Sequence, residues 1–204
     1  MQKNLLIDYT SHTQAALHIL ENKIEKGVRL MKLRGKLQEA EQKNGNSRVY
    51  PRDVLDPQVK KYLAGPVKTR TALGELDHPE TPTVSLSNAS HVITNIWWEG
   101  NDLMGELELL NTPSGKIAQE LVLAGIPLGI SSRGMGSVHQ MGETVEVQPD
   151  FELYCWDLVS VPSTPNAYLR LAEGKEYPNK YNQVNRTITD ILCSLSGVCA
   201  ICPE

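Results

Sequence analysis

The chain has no basic block, no long apolar run, no signal-like start and no spread of cysteines, and each absence closes off a class of function. Lys and Arg number 20 against 24 Asp and Glu, a net charge of −4. Nothing here displaces counterions from a phosphate backbone, so no nucleic-acid partner is expected. No apolar stretch approaches the ~18 residues that cross a bilayer, so no membrane partner is expected either. The opening MQKNLLIDYTSHTQ lacks a basic segment leading into an apolar one. It does not read as a secretion signal, and a cytosolic protein is the default expectation. Of the four cysteines, Cys193, Cys199 and Cys202 crowd the C-terminal end and only Cys155 stands apart. A disulfide framework would spread them through the domain. Cys199-x-x-Cys202 has no second CxxC or HxxxH to complete a zinc site, and reads as a loose tail with incidental thiols. No metal and no cofactor is expected. The glycines form no phosphate loop, because GMGSV lacks a lysine and SSRGMGS is not G-x-G-x-x-G.

What is present is a soluble, globular composition, 40% hydrophobic and 22% charged, in 204 residues. That length buries one full core with room for tails. Residues 13–27 carry Ala16, Leu17, Leu20 and Ile24 at helical spacing and predict an N-terminal arm or short helix over 1–27. From Val28 the pattern turns to strand, with Gly35 marking a bulge. Asp56 followed by Pro57 predicts a helix start, with Val59, Tyr62 and Leu63 facing inward. HVITNIWW and LMGELELL, joined by EGND, predict a hairpin. Thr112-Pro113 opens a second helix, with Ile117, Leu121 and Val122 as its apolar stripe, and Gly125 closes it. IPLGISS, VHQMGETVEVQ and FELYCWDLVSVP complete a set of six or seven strands with two or three short helices. Mostly hairpin connections favour an α+β, mainly β domain over 28–170, with a tail over 171–204.

Two phrases carry chemistry. GISSRGMGSV, residues 129–138, sets Ser131, Ser132 and Arg133 among glycines at the end of an apolar run, and LGELDHPE ends a short apolar strand at His78. Taken singly, His78 is an ordinary strand-end residue, the serines are turn residues and Arg133 is a solvated charge. The last strand changes the weighing. Period-2 alternation puts Phe151, Leu153, Cys155, Asp157 and Val159 on one face. A carboxylate in an apolar row needs a hydrogen-bonding partner, and a histidine held in one tautomer is such a partner. Serine, histidine and an acid are the parts of acyl transfer: nucleophile, general base and orienting group. Their chain order here, His, Ser, Asp, differs from the orders of chymotrypsin, subtilisin and the α/β-hydrolases, and the G-x-S-x-G elbow is absent.

NGNSRVYP, ALGELDHP, IWWEGND and GISSRGMGS, taken in order, resemble the successive motifs of the T4-type prohead core proteases, the capsid-maturation serine proteases of tailed phages. The resemblance runs from about Gly35 to Ala167 and implies an assemblin-like fold. That fold is a closed or nearly closed barrel of mostly antiparallel strands surrounded by short helices. It implies Ser131 as nucleophile, with Ser132 its structural neighbour and with the glycines leaving room for a peptide, and it implies His78 as general base. Assemblins place a second histidine on a later strand, where this chain has Asp157. Asp157 is therefore preferred as orienting acid, ahead of Glu75, His139 and His91. Oxyanion or substrate-binding donors are expected either at Ser132, Arg133 and Gly134 or in the loop Ser160–Ser163. The resemblance also implies cleavage after Glu with Leu or Ile two residues before. Arg133 is the nearby cation for such a pocket, and Leu171-Ala172-Glu173 is the expected self-cleavage site, ahead of Ile19-Leu20-Glu21. The implied partners are phage scaffold, core and capsid proteins and further copies of the chain. The implied place is the interior of a prohead assembled in the host cytoplasm. Two other readings stay open: an inactive scaffold or capsid-associated protein of the same fold, and a small-molecule esterase.

Overall fold

The structure is a computed structural model that describes residues 3–7, 18–79 and 81–160. Glu173, the loop beyond Ser160, the tail and its three cysteines lie outside the described residues. The strands are β1 (Asn4–Ile7), β2 (His18–Glu25), β3 (Val28–Glu39), β4 (Arg48–Val49), β5 (Leu73–Glu75), β6 (Ala89–Glu99), β7 (Asp102–Leu109), β8 (Gly129–Gly136), β9 (Val138–Met141), β10 (Thr144–Val147) and β11 (Glu152–Val159). Two helices join them, α1 (Arg52–Tyr62), which continues into a π-helical turn over Leu63–Val67, and α2 (Pro113–Leu123). The architecture is α+β and mainly β, as expected, but no sheet closes.

The strands form three sheets: β2-β3-β7-β6-β5, all antiparallel; β1-β8-β11, also antiparallel; and the small β4-β10-β9. The expected barrel fails at one seam. Between the first two sheets the backbone link is a single parallel bridge, Leu76 to Leu158, with the Asp77 N–H donating to the Leu158 carbonyl at 2.8 Å. It cannot propagate in either direction. On one side the Glu75 N–H is given to the Asp157 side chain at 2.9 Å, and on the other Asp77 turns into the left-handed region at φ 64°. Gly74 permits the close approach: a Cβ there would sit 2.1 Å from the Trp156 carbonyl oxygen and 2.4 Å from the His91 ring.

The core follows from alternation. Along β7 every second residue is buried, so Leu103, Leu107 and Leu109 face Met31, Leu33 and Leu37 of β3, while Glu106 and Glu108 stay on the outer face. The β6–β7 hairpin turns at Gly100, φ 62°, as EGND predicts. Thr112 caps α2, accepting from the Gly115 N–H at 3.1 Å, and Gly125 ends the helix at φ 74°. Ile117 is not part of the buried stripe of α2; it is exposed, and Ala118 and Val122 carry the packing.

Three readings are corrected. Residues 18–25 form a strand, not a helix, and Leu20 and Ile24, which made the helical pattern, are exposed. Residues 4–7 form a strand too, added to the edge of β8. Helix α1 begins at Arg52 after Pro51, so Pro57 lies inside it and Asp56 caps nothing. Asp56 instead accepts from Trp98 Nε1 at 3.0 Å and pairs with Lys60 at 2.6 Å, which fixes α1 to the hairpin.

Candidate active site

β8 and β11 set the site by register. Ser131 stands opposite Asp157 and Arg133 opposite Cys155, so these four side chains share one face. Cβ atoms of such opposed pairs lie about 4.5–5.5 Å apart. Ser132, opposite Trp156, points to the other face and is not part of the group. The third contribution comes across the open seam. Because Asp77 adopts the left-handed conformation that Asp tolerates better than most residues, the chain turns at the end of β5 and returns His78 towards β11. Its Nδ1 lies 2.7 Å from Asp157 Oδ2. The side chains of His78 and Asp157 are buried, and so is Ser131.

Asp157 is saturated. Oδ2 receives His78 Nδ1 and faces Arg133 Nε at 2.9 Å; Oδ1 receives the Glu75 N–H at 2.9 Å and Arg133 Nη2 at 3.1 Å. Burial alone drives its carboxyl towards the neutral form. The hydrogen bond from His78, the Arg133 charge and the Glu75 N–H together outweigh that, and its pKa lies below the ordinary value. An ionised carboxylate only accepts, so the His78 Nδ1 that faces it carries a proton.

Arg133 is placed differently from the sequence expectation. It is fully buried, 0% exposed, and is not a cation at the mouth of a pocket. Its guanidinium spans Asp157 and Glu75, the latter at 3.0 Å, and Nη1 donates to the carbonyl of Thr81. Glu75 Oε1 also accepts from the Ser85 N–H at 3.0 Å, so the Arg133–Glu75 pair fastens the segment that follows Pro79. Gly134 lies within strand β8. Its α-carbon meets Phe151, the chain's only phenylalanine, and a Cβ there would lie 2.5 Å from both Phe151 Cε2 and the Glu152 carbonyl oxygen. The turn expected at Ser132-Arg133 is strand interior, because β8 continues to Gly136.

His91 and His139 each have their own surroundings. His139 is exposed on β9. His91 is buried beneath the seam, with Nδ1 2.9 Å from Ser90 Oγ and Nε2 3.1 Å from the Trp156 carbonyl oxygen. Burial lowers its pKa to about 4, against the smaller opposing pull of the Asp157 charge, so the ring is neutral and Nε2–H donates to the carbonyl. Burial raises the Cys155 thiol well above its ordinary value, and the Asp157 charge, its Oδ1 3.5 Å away, adds to the rise. Among the described residues no group of His, Cys, Asp and Glu is arranged to hold a metal ion. No described helix is long and apolar enough to cross a membrane.

Sequence reasoning missed Glu75 as the partner of Arg133. The signal was available: Glu75 is an acid in the apolar strand LGEL, the same anomaly that singled out Asp157.

A histidine–aspartate pair with a serine at the facing register position, assembled across two sheets, is an arrangement that can support acyl transfer. Residues 15–177 match the family described as prohead core protein serine protease. The prohead core protein protease of Enterobacteria phage T4 is 37% identical over 142 residues, which span 67% of this chain and 66% of that protein. The solved structure of the bacteriophage T4 capsid assembly protease superposes with a TM-score of 0.69 at 30% identity, covering 78% of this chain and 98% of that one. The chain belongs to the prohead core protein serine protease family.

Proposed function

We propose that the chain is a serine endopeptidase that cleaves scaffold, core and capsid proteins inside a phage prohead during maturation. The observation that carries this reading is the 2.7 Å contact of His78 Nδ1 with Asp157, on a strand whose Asp157 faces Ser131 in register. In this reading His78 Nε2 takes the proton of Ser131 Oγ as the oxygen attacks the scissile carbonyl. The imidazolium then gives that proton to the leaving amine, and water enters by the same path in reverse to release the acyl group. Asp157 holds the ring in one tautomer and stabilises its charged form. Glu75 pairs with Arg133 and accepts from the Ser85 N–H, which supports Asp157 over Glu75 as the orienting acid. Cleavage after Glu with Leu or Ile two residues before, self-cleavage after Glu173 and assembly with further copies belong to the same proposal, as extensions from the family. The burial of Ser131 (1% exposed) favours the second reading, a non-catalytic scaffold of the same fold.

Intact mass separates them. The full-length chain is incubated concentrated, alone and with a prohead scaffold protein, beside Ser131→Ala and Ser132→Ala. Wild type and Ser132→Ala are expected to cut, with loss of the mass beyond Glu173, while Ser131→Ala stays whole. Uncut scaffold and an intact wild-type chain would favour the non-catalytic reading.

A further inference from the structure

We infer that Arg133 and Glu75 are positioning residues with opposite electrostatic effects on His78, which together leave the buried set with one net negative charge until His78 is protonated. The inference rests on the serine-protease reading for its catalytic meaning but on geometry for its content.

The titratable groups around Asp157 are His78 beyond β5, His91 on β6, Arg133 on β8, Cys155 on β11 and Tyr62 on α1, with Glu75 of β5 reached through Arg133. Burial keeps three of them uncharged. His91 is held low, at about 4, and the Cys155 thiol and Tyr62 hydroxyl are pushed up. That leaves two carboxylates and one guanidinium. Arg133 contacts both acids, Asp157 through Nε and Nη2 and Glu75 through Nη2. With His78 neutral the buried set sums to minus one; with His78 protonated it sums to zero.

Charge balance matters here because the set is sealed from water. The side chains of His78, Glu75, Arg133 and Asp157 are each exposed by 1% or less. Were Asp157 paired with Arg133 alone, a proton on His78 would create an unbalanced buried cation, which is costly. Glu75 supplies the compensating charge without touching the ring. Arg133 acts in the other sense: without it the uncompensated Asp157 carboxylate would favour the protonated imidazole, which is useless as a base. The pair thus sets the basicity of His78 between those two limits. Glu75 acts through Arg133, and Arg133 acts through Asp157.

The test is a titration of His78 by NMR, using histidine labelled at Cε1, in full-length Ser131→Ala chain. This background keeps the protein whole and makes the readout independent of whether the chain is a protease. His78→Gln assigns the signal among the five histidines. Glu75→Gln keeps the shape and the acceptor for Ser85, and is expected to lower the His78 pKa by about half a unit to one unit. Arg133→Gln is expected to raise it by about one unit. Shifts in opposite directions are the signature, because local loosening moves both variants the same way. Shifts of the same sign, or no shift with Glu75→Gln, would overturn the inference. Should Arg133→Gln not fold, Glu75→Gln decides alone. In the active chain Glu75→Gln moves the acid limb of kcat/KM to lower pH and lowers kcat with KM unchanged. If the titration shifts but no cleavage is seen in any background, the electrostatic inference stands and the protease reading falls.

Discussion

Two regions of the molecule solve the same problem of placing arginines, with opposite surroundings. At the β6–β7 hairpin, Arg34 lies 4.6 Å from the Trp97 ring centre and 3.4 Å from Glu99, and Arg52 lies 3.4 Å over Trp98 while donating to the Gly100 carbonyl. Arg34 and Glu99 are about half exposed. At the seam, Arg133 holds Asp157 and Glu75 with no exposure at all. Solvent screens the first cluster, so its members contribute separately and modestly. The second is sealed, so each member is needed to make the others tolerable. IWWEGND is therefore a latch, and SSRG with LGELDH is a charge assembly, although both read in the sequence as polar residues among apolar ones.

The comparison is broken most severely at Asp157. Asp157→Asn keeps the shape but lets the ring adopt the wrong tautomer, and turnover of a scaffold substrate is expected to fall roughly a thousand- to ten-thousand-fold. The same assay on Arg34→Met is expected to give wild-type turnover.

Next in size is stability. Arg133→Met leaves two buried carboxylates facing each other and is expected to cost about 3–5 kcal/mol, read from the urea midpoint. Arg34→Met is expected to leave that midpoint where it was. Equal midpoints for the two variants would erase the distinction drawn between the regions.

A third measurement uses pH. His91 lies under the seam with a folded pKa depressed to about 4, against 6.5 for the ordinary ring. Between those values the unfolded chain binds the extra proton and the folded chain does not. Stability from this residue is present above pH 6.5 and is lost as pH falls towards 4, about 3 kcal/mol in all. His91→Gln should flatten the change in unfolding free energy between pH 7 and pH 4.5. An undiminished slope would place the acid sensitivity elsewhere.

The smallest effect belongs to the hairpin. Arg52→Ala removes one ring contact and one hydrogen bond, and is expected to cost about 0.5–1 kcal/mol with activity intact.

The sequence made the hairpin, α2 and the last strand legible because each carries local signals: Gly100 and Gly125 at positive φ, Thr112 before Pro113, alternation along β7. It made Asp157 legible because a buried acid is an anomaly that demands a partner. β2 was misread since its apolar residues, Leu20 and Ile24, are not buried, so their spacing reports nothing about packing. The face drawn from Phe151 to Val159 was too regular, because a bulge between Leu153 and Cys155 resets the register. The open seam was illegible for another reason. What stops the ladder is an Asp157 side chain taking the N–H of Glu75, a contact between residues 82 apart in the chain. Arg133 was misread as a substrate cation for the same cause: its partners arrive on β5 and β11, and only topology delivers them.

The lone phenylalanine has a practical consequence. Phe151 lies edge-on to Tyr50 at 5.4 Å and fills the space that Gly134 and Gly136 leave bare under β8. A fluorinated phenylalanine supplied in the growth medium would enter the chain at this one place. A single fluorine resonance would then report on the underside of the strand that carries Ser131, with no assignment to make, and it could be followed as a candidate substrate is added.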